Sequence, residues 1–146
     1  VQGLVFVKIA NQLGCVSNGW VAECCKPWEY KSEGQNTQKT IEAWFKVDNK
    51  DITSKKQVVY EQGGTVRGLN IYIYGGSLYV GGWNEAESQW NPGTWLSTSN
   101  IESNTWHHVA LTLNGGSSVS SNAFKGYLNG TQFGSGQGSK LWGHHG

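Results

Sequence analysis

Residues 83–95 carry the side chains best suited to contact a ligand. Three of the chain's eight tryptophans fall in this segment, together with amide and carboxylate groups. A sugar presents an apolar C–H face, which can lie on an indole, and hydroxyl groups, which amide and carboxylate oxygens can hydrogen-bond. The candidate ligand-binding residues are Trp83, Asn84, Glu85, Glu87, Trp90, Asn91 and Trp95. The alternative is that Trp83 and Trp95 flank strands and lie in the core, which leaves only Trp90 exposed.

A second candidate site is the acidic turn formed by Asp48, Asn49 and Asp51. Oxygen ligands on a loop suit Ca²⁺, which is the one cofactor that the sequence suggests. Two carboxylates with a lysine between them make a weak ligand set, so a solvated turn is the favoured alternative. His107 and His108 do not form a metal site together, because neighbouring residues of a strand point to opposite faces.

The three cysteines are Cys15, Cys24 and Cys25. Adjacent cysteines rarely pair with each other, so we expect a disulfide from Cys15 to either Cys24 or Cys25. Closing that short loop stabilises a fold by about 3 kcal/mol in the chain-entropy treatment. One thiol is left over, either free or paired with another chain.

The acidic residues do not form a catalytic pattern. Retaining glycosidases need two carboxylates about 5–5.5 Å apart, and a strand delivers them through an alternating Glu-x-Asp-x-Glu pattern. No predicted strand shows it; the nearest match, residues 85–87, falls in a predicted loop. We therefore predict that the domain is not an enzyme.

Composition places the chain among uncharged, polar, single-domain proteins. It has 146 residues, a net charge of +1 and only 14 % charged residues, and 21 of its residues are glycine. The near-zero charge gives no reason to expect nucleic acid as a partner. No apolar run is long enough to span a membrane.

Short alternating segments separated by Gly, Asn and Ser predict an all-β fold. Alternation also predicts that Val5, Val7 and Ile9 share one face of a first strand. Two-residue turns are predicted at Gly75-Gly76 and at Asn129-Gly130. The Ser-rich segment 114–122 is predicted as a loop, and no strand is predicted in residues 134–146. The later strands are predicted at residues 40–47, 57–62, 68–74, 77–82, 95–98, 106–113, 124–128 and 131–133.

From Thr40 onward the chain resembles the laminin-G-like jelly-roll domains, which are relatives of the concanavalin A-like lectins. Three segments carry the resemblance in the family's order: residues 40–46 (TIEAWFK), residues 104–111 (NTWHHVAL) and residues 124–130 (FKGYLNG). The resemblance implies an all-β, antiparallel two-sheet jelly-roll sandwich. Relatives of this kind often bind Ca²⁺.

The resemblance breaks off at the end of the chain. Family members close the sheet with a late strand of the type F-x-G-x-I-D-E-V-R-I-Y, and this sequence shows none. We therefore expect another chain or segment to complete the sheet, because an open edge favours aggregation. Within a single domain, residues 1–39 form an N-terminal strand and cysteine-bearing loop, and residues 40–146 form the sandwich.

Together these features predict a non-catalytic recognition domain, extracellular or at the cell surface. It binds a glycan or another surface ligand through the tryptophan-rich loop. The alternative is a structural subunit of a surface filament or multichain assembly, which the odd cysteine and the missing strand favour. A glycoside hydrolase or lyase of the same fold is the least favoured interpretation.

Overall fold

The computed structural model describes residues 5–9, 35–85 and 90–142. Every helix or strand assigned in these ranges is a β-strand, as predicted, and none of them holds a helix that could cross a bilayer. The strands are β1 (Val5–Ile9), β2 (Gln35–Asn36), β3 (Gln38–Val47), β4 (Gln57–Gly63), β5 (Arg67–Tyr74), β6 (Ser77–Asn84), β7 (Trp90–Thr98), β8 (His107–Asn114), β9 (Ser120–Leu128), β10 (Thr131–Gly138) and β11 (Leu141–Trp142).

Two antiparallel sheets form the sandwich. One sheet has the strand order β1-β3-β8-β9-β10, and the other has the order β4-β5-β6-β7. β2 and β11 form a separate two-stranded ladder. This arrangement is the two-sheet jelly-roll sandwich that the family resemblance implied.

The core lies between the two sheets because each strand turns alternate side chains inward. On β3, for example, Ala43, Phe45 and Val47 are buried, whereas Glu42 and Trp44 face away. Both sheets contribute to one buried cluster, so their outer faces point in opposite directions. The cluster includes Ala43, Phe45, Leu69, Ile71, Ile73, Leu78, Val80, Trp90, Val109, Leu111, Leu113 and Phe124.

Both predicted two-residue turns are confirmed. Gly75 and Gly76 have φ angles of 54° and 84°, and Asn129 and Gly130 have φ angles of 49° and 81°. Positive φ at both central residues matches the right-handed twist of the flanking strands, which explains glycine and asparagine at these positions.

The prediction that residues 134–146 hold no strand is wrong. β10 continues through Gly138, and β11 follows it. Glycines in β10 let the strand lie against β7: a Cβ on Gly136 would meet Thr94 Cγ2 at 2.5 Å. In the sequence, the glycines of β10 suggested a loop, because their role in packing against β7 becomes visible only once the two sheets are stacked. The predicted Ser-rich loop is also too long, because β9 begins at Ser120.

The predicted first strand is β1, and it lies beside β3 with Val5 opposite Val47 and Ile9 opposite Ala43. β3 is therefore paired on both sides, by β1 and by β8. The expectation that another chain completes the sheet remains a prediction. The cysteines at 15, 24 and 25 lie outside the described residues.

Candidate ligand-binding surface

Most of the predicted tryptophan-rich loop is strand. β6 continues through Asn84, and β7 already begins at Trp90. Glu85 follows β6 directly, exposed to solvent, and its N–H donates to Val66 O at 2.9 Å. Glu87 lies outside the described residues. Strand alternation rather than loop geometry therefore decides which of these side chains a ligand can reach.

Trp83 and Trp95 lie together on the outer face of the four-stranded sheet. Their ring centroids are 5.9 Å apart and their planes are inclined by 11°. Trp95 is 43 % exposed, and Trp83 is partly buried. The two indoles are stacked on each other and present apolar surface to solvent, mainly through Trp95. We call them the Trp83–Trp95 pair.

Glycines next to the rings allow the indoles of this pair to approach the sheet backbone closely. Gly68, opposite Trp83 on β5, has room for no side chain, since a Cβ there would be 2.6 Å from Trp83 Cζ2. Gly81, opposite Trp95 on β6, would bring a Cβ to 2.6 Å from Trp95 Nε1. A Cβ at Gly93 would lie 2.7 Å from Trp95 Cζ3. The positions of the two rings therefore depend on the absence of side chains at these three glycines.

Hydrogen bonding further fixes this surface. Trp83 Nε1 donates to Gly64 O at 3.0 Å, which holds the ring against the β4–β5 turn. Asn70 lies beside Gly81 on the same face, and its Oδ1 is buried without a hydrogen-bond partner. A buried acceptor without a partner costs about 1–3 kcal/mol, so a donor from a ligand or a small shift of the neighbouring indole would be favourable there.

Trp90 is in the core, contrary to the prediction that it contacts a ligand. It is 2 % exposed, packs edge-on against Phe124 with centroids 5.5 Å apart, and donates from Nε1 to Thr94 Oγ1. The alternative reading of the segment was wrong as well, because it placed Trp83 and Trp95 in the core. Strand alternation reverses the assignment: Trp90 shares the inward side of β7 with Leu96, and Trp95 takes the outward side.

The two candidate asparagines, Asn84 and Asn91, also differ in whether they are buried or exposed. Asn84 is fully buried, and its Nδ2 donates to Lys140 O at 2.8 Å, so it ties β6 to the segment before β11. It is a structural residue and does not reach a surface ligand. Asn91 is exposed near the start of β7.

A tyrosine pair extends the aromatic surface along β5 and β6. Tyr72 and Tyr79 face each other on β5 and β6 and stack with centroids 4.9 Å apart. Tyr79 is two residues before Gly81 on β6, and Lys56 Nζ lies 4.5 Å from the Tyr72 ring centroid. Burial, and secondarily the neighbouring Tyr79, raise the pKa of Tyr72. The Tyr72 phenol therefore stays protonated to a higher pH than an ordinary tyrosine does, and it remains a neutral hydrogen-bonding group.

The residues of the predicted calcium turn are held by protein hydrogen bonds. Asn49 Oδ1 accepts from Asp51 N–H at 2.9 Å, and the Asp48 carbonyl accepts from Asn104 Nδ2 at 3.3 Å. The Asp51 carboxylate lies 3.9 Å from Lys50 Nζ. Among the described residues, no three His, Cys, Asp or Glu side chains are grouped as metal ligands. The choice between a solvated turn and a calcium site remains a prediction.

His107 and His108 point to opposite faces, as the sequence predicted. His107 is buried; its Nε2 accepts from Glu102 N–H at 3.0 Å, and its Nδ1 lies 3.2 Å from Asn129 Nδ2. His108 lies on the outer face of the five-stranded sheet, with its ring centroid 5.1 Å from that of Trp44. His107 is thus structural, and His108 belongs to a surface that the sequence analysis did not single out.

A two-sheet antiparallel sandwich is the architecture of jelly-roll domains, which include lectins. The comparison with protein families agrees: residues 30–146 match the family model described as the concanavalin A-like lectin/glucanases superfamily. The chain belongs to this superfamily. No curated protein matches the chain.

Proposed function

We propose that the domain is a non-catalytic carbohydrate-recognition domain and that it binds a glycan on the Trp83–Trp95 pair. One observation carries the proposal: two stacked indoles lie on an outer sheet face, against glycines that have no room for a Cβ, where they contribute little to the core. Superfamily membership supports the same class of ligand.

The chemistry of this surface suits a sugar ring. The indoles offer apolar area to the C–H face, and the exposed carboxylate of Glu85 follows Trp83 by two residues and can accept from hydroxyl groups. If stacking buries about 60 Å² of apolar surface, it contributes about 1.5 kcal/mol at ~25 cal/mol per Å². That free energy corresponds to roughly tenfold in affinity.

A peptide fits this surface less well than a glycan does. β6 is hydrogen-bonded on both sides, to β5 and to β7. A peptide laid over the indole rings would find no free backbone groups in β6, and its own N–H and C=O groups would lose water without replacement. A peptide that paired with β7, the edge strand of this sheet, would lie beside the sheet and not on the rings. A glycan has no peptide groups to satisfy, and its hydroxyls can keep their water on the open side.

The proposal includes an extracellular or cell-surface location and the absence of hydrolytic activity. The uncharged, aromatic-rich composition suits contact with neutral, hydroxyl-rich ligands outside the cell. No predicted strand carries the alternating acidic pattern that a retaining glycosidase needs. Incubation with cell-wall and marine polysaccharides should release no reducing ends, and their release would contradict this part of the proposal.

The binding proposal is tested with an array of neutral oligosaccharides, followed by NMR with ¹⁵N-labelled protein. A bound oligosaccharide should shift the indole N–H resonances of Trp83 and Trp95 and leave that of buried Trp90 unchanged. Trp95→Ala should weaken binding at this site about tenfold. The control Tyr74→Ala, which removes an exposed ring at the far end of β5, should not. If no oligosaccharide shifts the Trp83 or Trp95 resonance, the proposal is wrong.

A further inference from the structure

A second aromatic surface lies on the outer face of the five-stranded sheet. Trp44 on β3 is directly opposite His108 on β8. Lys46 lies two residues further along β3, on the same face, and is close to Trp106. Trp44 is 47 % exposed and Trp106 is 49 % exposed. These residues and Glu42 form what we call the Trp44 cluster.

The cluster is ordered by its own contacts. The rings of Trp44 and His108 are 5.1 Å apart, and His108 Nε2 lies 3.4 Å from Glu42 Oε2. Lys46 Nζ is 5.9 Å from the Trp106 ring centroid. The Glu42 side chain remains 47 % exposed. An indole thus lies within reach of an exposed carboxylate and an imidazole, and all three groups are open to solvent at least in part.

Among the residues that the structure describes, core packing does not account for these tryptophans. The inward side of β3 holds Ala43, Phe45 and Val47, which complete the core without help from the outer face. Two indoles about half exposed on one sheet face, with charged neighbours around them, are the pattern of an interaction surface.

We propose that the Trp44 cluster is a second glycan-binding site. Trp44 supplies the apolar surface for a sugar C–H face, and Glu42 and His108 hydrogen-bond its hydroxyl groups. Glu42 and Lys46 give the cluster one charge of each sign, so it selects for no charged sugar, and the ligand we propose is a neutral glycan.

The backbone around the cluster argues against a peptide ligand, as it does at the first surface. β3 is paired by β1 and β8, and β8 is paired by β3 and β9. At β3 and β8 the face therefore offers side chains and no free strand edge, since the edges of this sheet are β1 and β10. A peptide would lose hydration of its backbone without gaining partners, whereas a sugar meets the indole, the carboxylate and the imidazole directly.

The two surfaces lie on opposite sides of the sandwich, since each is on the outer face of a different sheet. A domain with both sites bridges two glycan chains as a monomer. This consequence rests on the proposed function of the Trp83–Trp95 pair, although the second site itself does not. Two weak contacts on one polysaccharide network raise the overall avidity well above that of either contact.

The test uses the whole chain, shown to be monomeric by light scattering, with one neutral polysaccharide in two forms: immobilised on beads, and soluble with a fluorescent label. The wild type should carry the label onto the beads. Trp44→Ala, Trp95→Ala and the double variant should lose this bridging. Both single variants should still bind beads, and the double variant should not. Glu42→Gln, which keeps the size of the side chain, should reduce bridging at least several-fold, and Tyr74→Ala should leave it unchanged.

The outcomes separate the two proposals. If Trp44→Ala bridges like the wild type and the Trp44 indole resonance does not move with oligosaccharide, the second site is wrong while the first stands. If Trp95→Ala binds and bridges like the wild type while Trp44→Ala abolishes bead binding, the proposed function of the Trp83–Trp95 pair is wrong and the Trp44 cluster is the glycan site. If Glu42→Gln matches the wild type, the assigned chemistry of the second site is wrong.

Discussion

Trp95 lies over the backbone of Gly81, its partner on the neighbouring strand, and the contact leaves no room for a Cβ. The obstructing atoms are the side-chain atoms Trp95 Nε1 and Asn70 Oδ1, and none of the nearest three belongs to backbone. A methyl group at position 81 would therefore displace the Asn70 amide and lift a half-exposed indole off the sheet rather than distort the strand.

We predict that Gly81→Ala weakens glycan binding at the Trp83–Trp95 pair nearly as much as Trp95→Ala does, about tenfold. The free energy of unfolding should change by less than about 1 kcal/mol, since the displaced ring can turn into solvent. Binding is measured by the NMR titration and stability by urea denaturation. Gly116→Ala, where a Cβ would meet nothing within 4 Å, is the control. Unaltered binding by Gly81→Ala would show that ring placement is irrelevant to the ligand.

The next residue, Gly82, has the same role on the inner face. Trp90 packs over it: a Cβ there would be 3.0 Å from Trp90 Cζ2 and 3.1 Å from Leu69 Cδ2, inside the core. Gly82→Ala should therefore lower the free energy of unfolding by about 1–3 kcal/mol through overpacking. The folded protein should bind glycan as the wild type does, which is the reverse of the Gly81→Ala result. Equal effects of the two variants on both measurements would contradict this division between the faces.

Much of the fold could be predicted from alternation and turn chemistry. Phe45 and Leu111 fall on the buried side of evident two-residue patterns, and Asn129-Gly130 permits few structures other than a tight turn. The tryptophan segment was harder, because Pro92 and Gly93 interrupt the pattern and suggest a loop. Extending the alternation from inward Val80 along β6, and from inward Leu96 back along β7, would have placed Trp83 and Trp95 outward and Trp90 inward.

The Trp44 cluster was missed for a different reason. Its members come from segments about sixty residues apart in the sequence, and only the pairing of β3 with β8 brings them together. An aromatic residue between Glu42 and Lys46 on the polar side of a strand was a usable signal. It identifies an exposed indole but not its neighbours, because register depends on the whole sheet.

The turn that holds Asp48, Asn49 and Asp51 should not respond to calcium. Lys50 Nζ lies 3.9 Å from Asp51 Oδ1, so a calcium ion would have to bind next to a lysine cation with only two carboxylates to offset it. We expect the melting temperature to be the same in millimolar CaCl₂ and in a chelator, with MgCl₂ as a control for ionic strength. A calcium-specific rise that Asp51→Asn removes would restore the turn as a metal site.

Asn129 has two structural roles that substitutions can separate. Its φ of 49° favours glycine or asparagine, and its Oδ1 accepts from His108 N–H at 2.9 Å. Asn129→Ala should cost about 1–3 kcal/mol of unfolding free energy, since it introduces backbone strain and leaves the His108 donor without this partner. Asn129→Gly relieves the strain and loses only the side-chain bonds, so it should cost less. If the glycine variant were the less stable of the two in urea denaturation, the strain argument would be wrong.

Lys39 makes the free energy of unfolding depend on pH in the alkaline range. Burial lowers its pKa below the ordinary value of 10.5, although its Nζ donates to Gln62 Oε1. Between the lowered folded-state pKa and 10.5, the unfolded chain binds a proton that the folded chain has released. The free energy of unfolding therefore rises with pH across that window, and the gain is lost as pH falls through the folded-state pKa.

Lys39→Met removes this titration, so the stability of the wild type relative to the variant should increase as pH is raised toward 10.5 and then level off. Urea denaturation of both proteins from neutral to alkaline pH measures the difference directly. Lys55→Met, which removes one positive charge from an exposed segment, controls for the change in net charge. A difference that stays flat or falls with pH would mean that burial does not disfavour the charged form of Lys39.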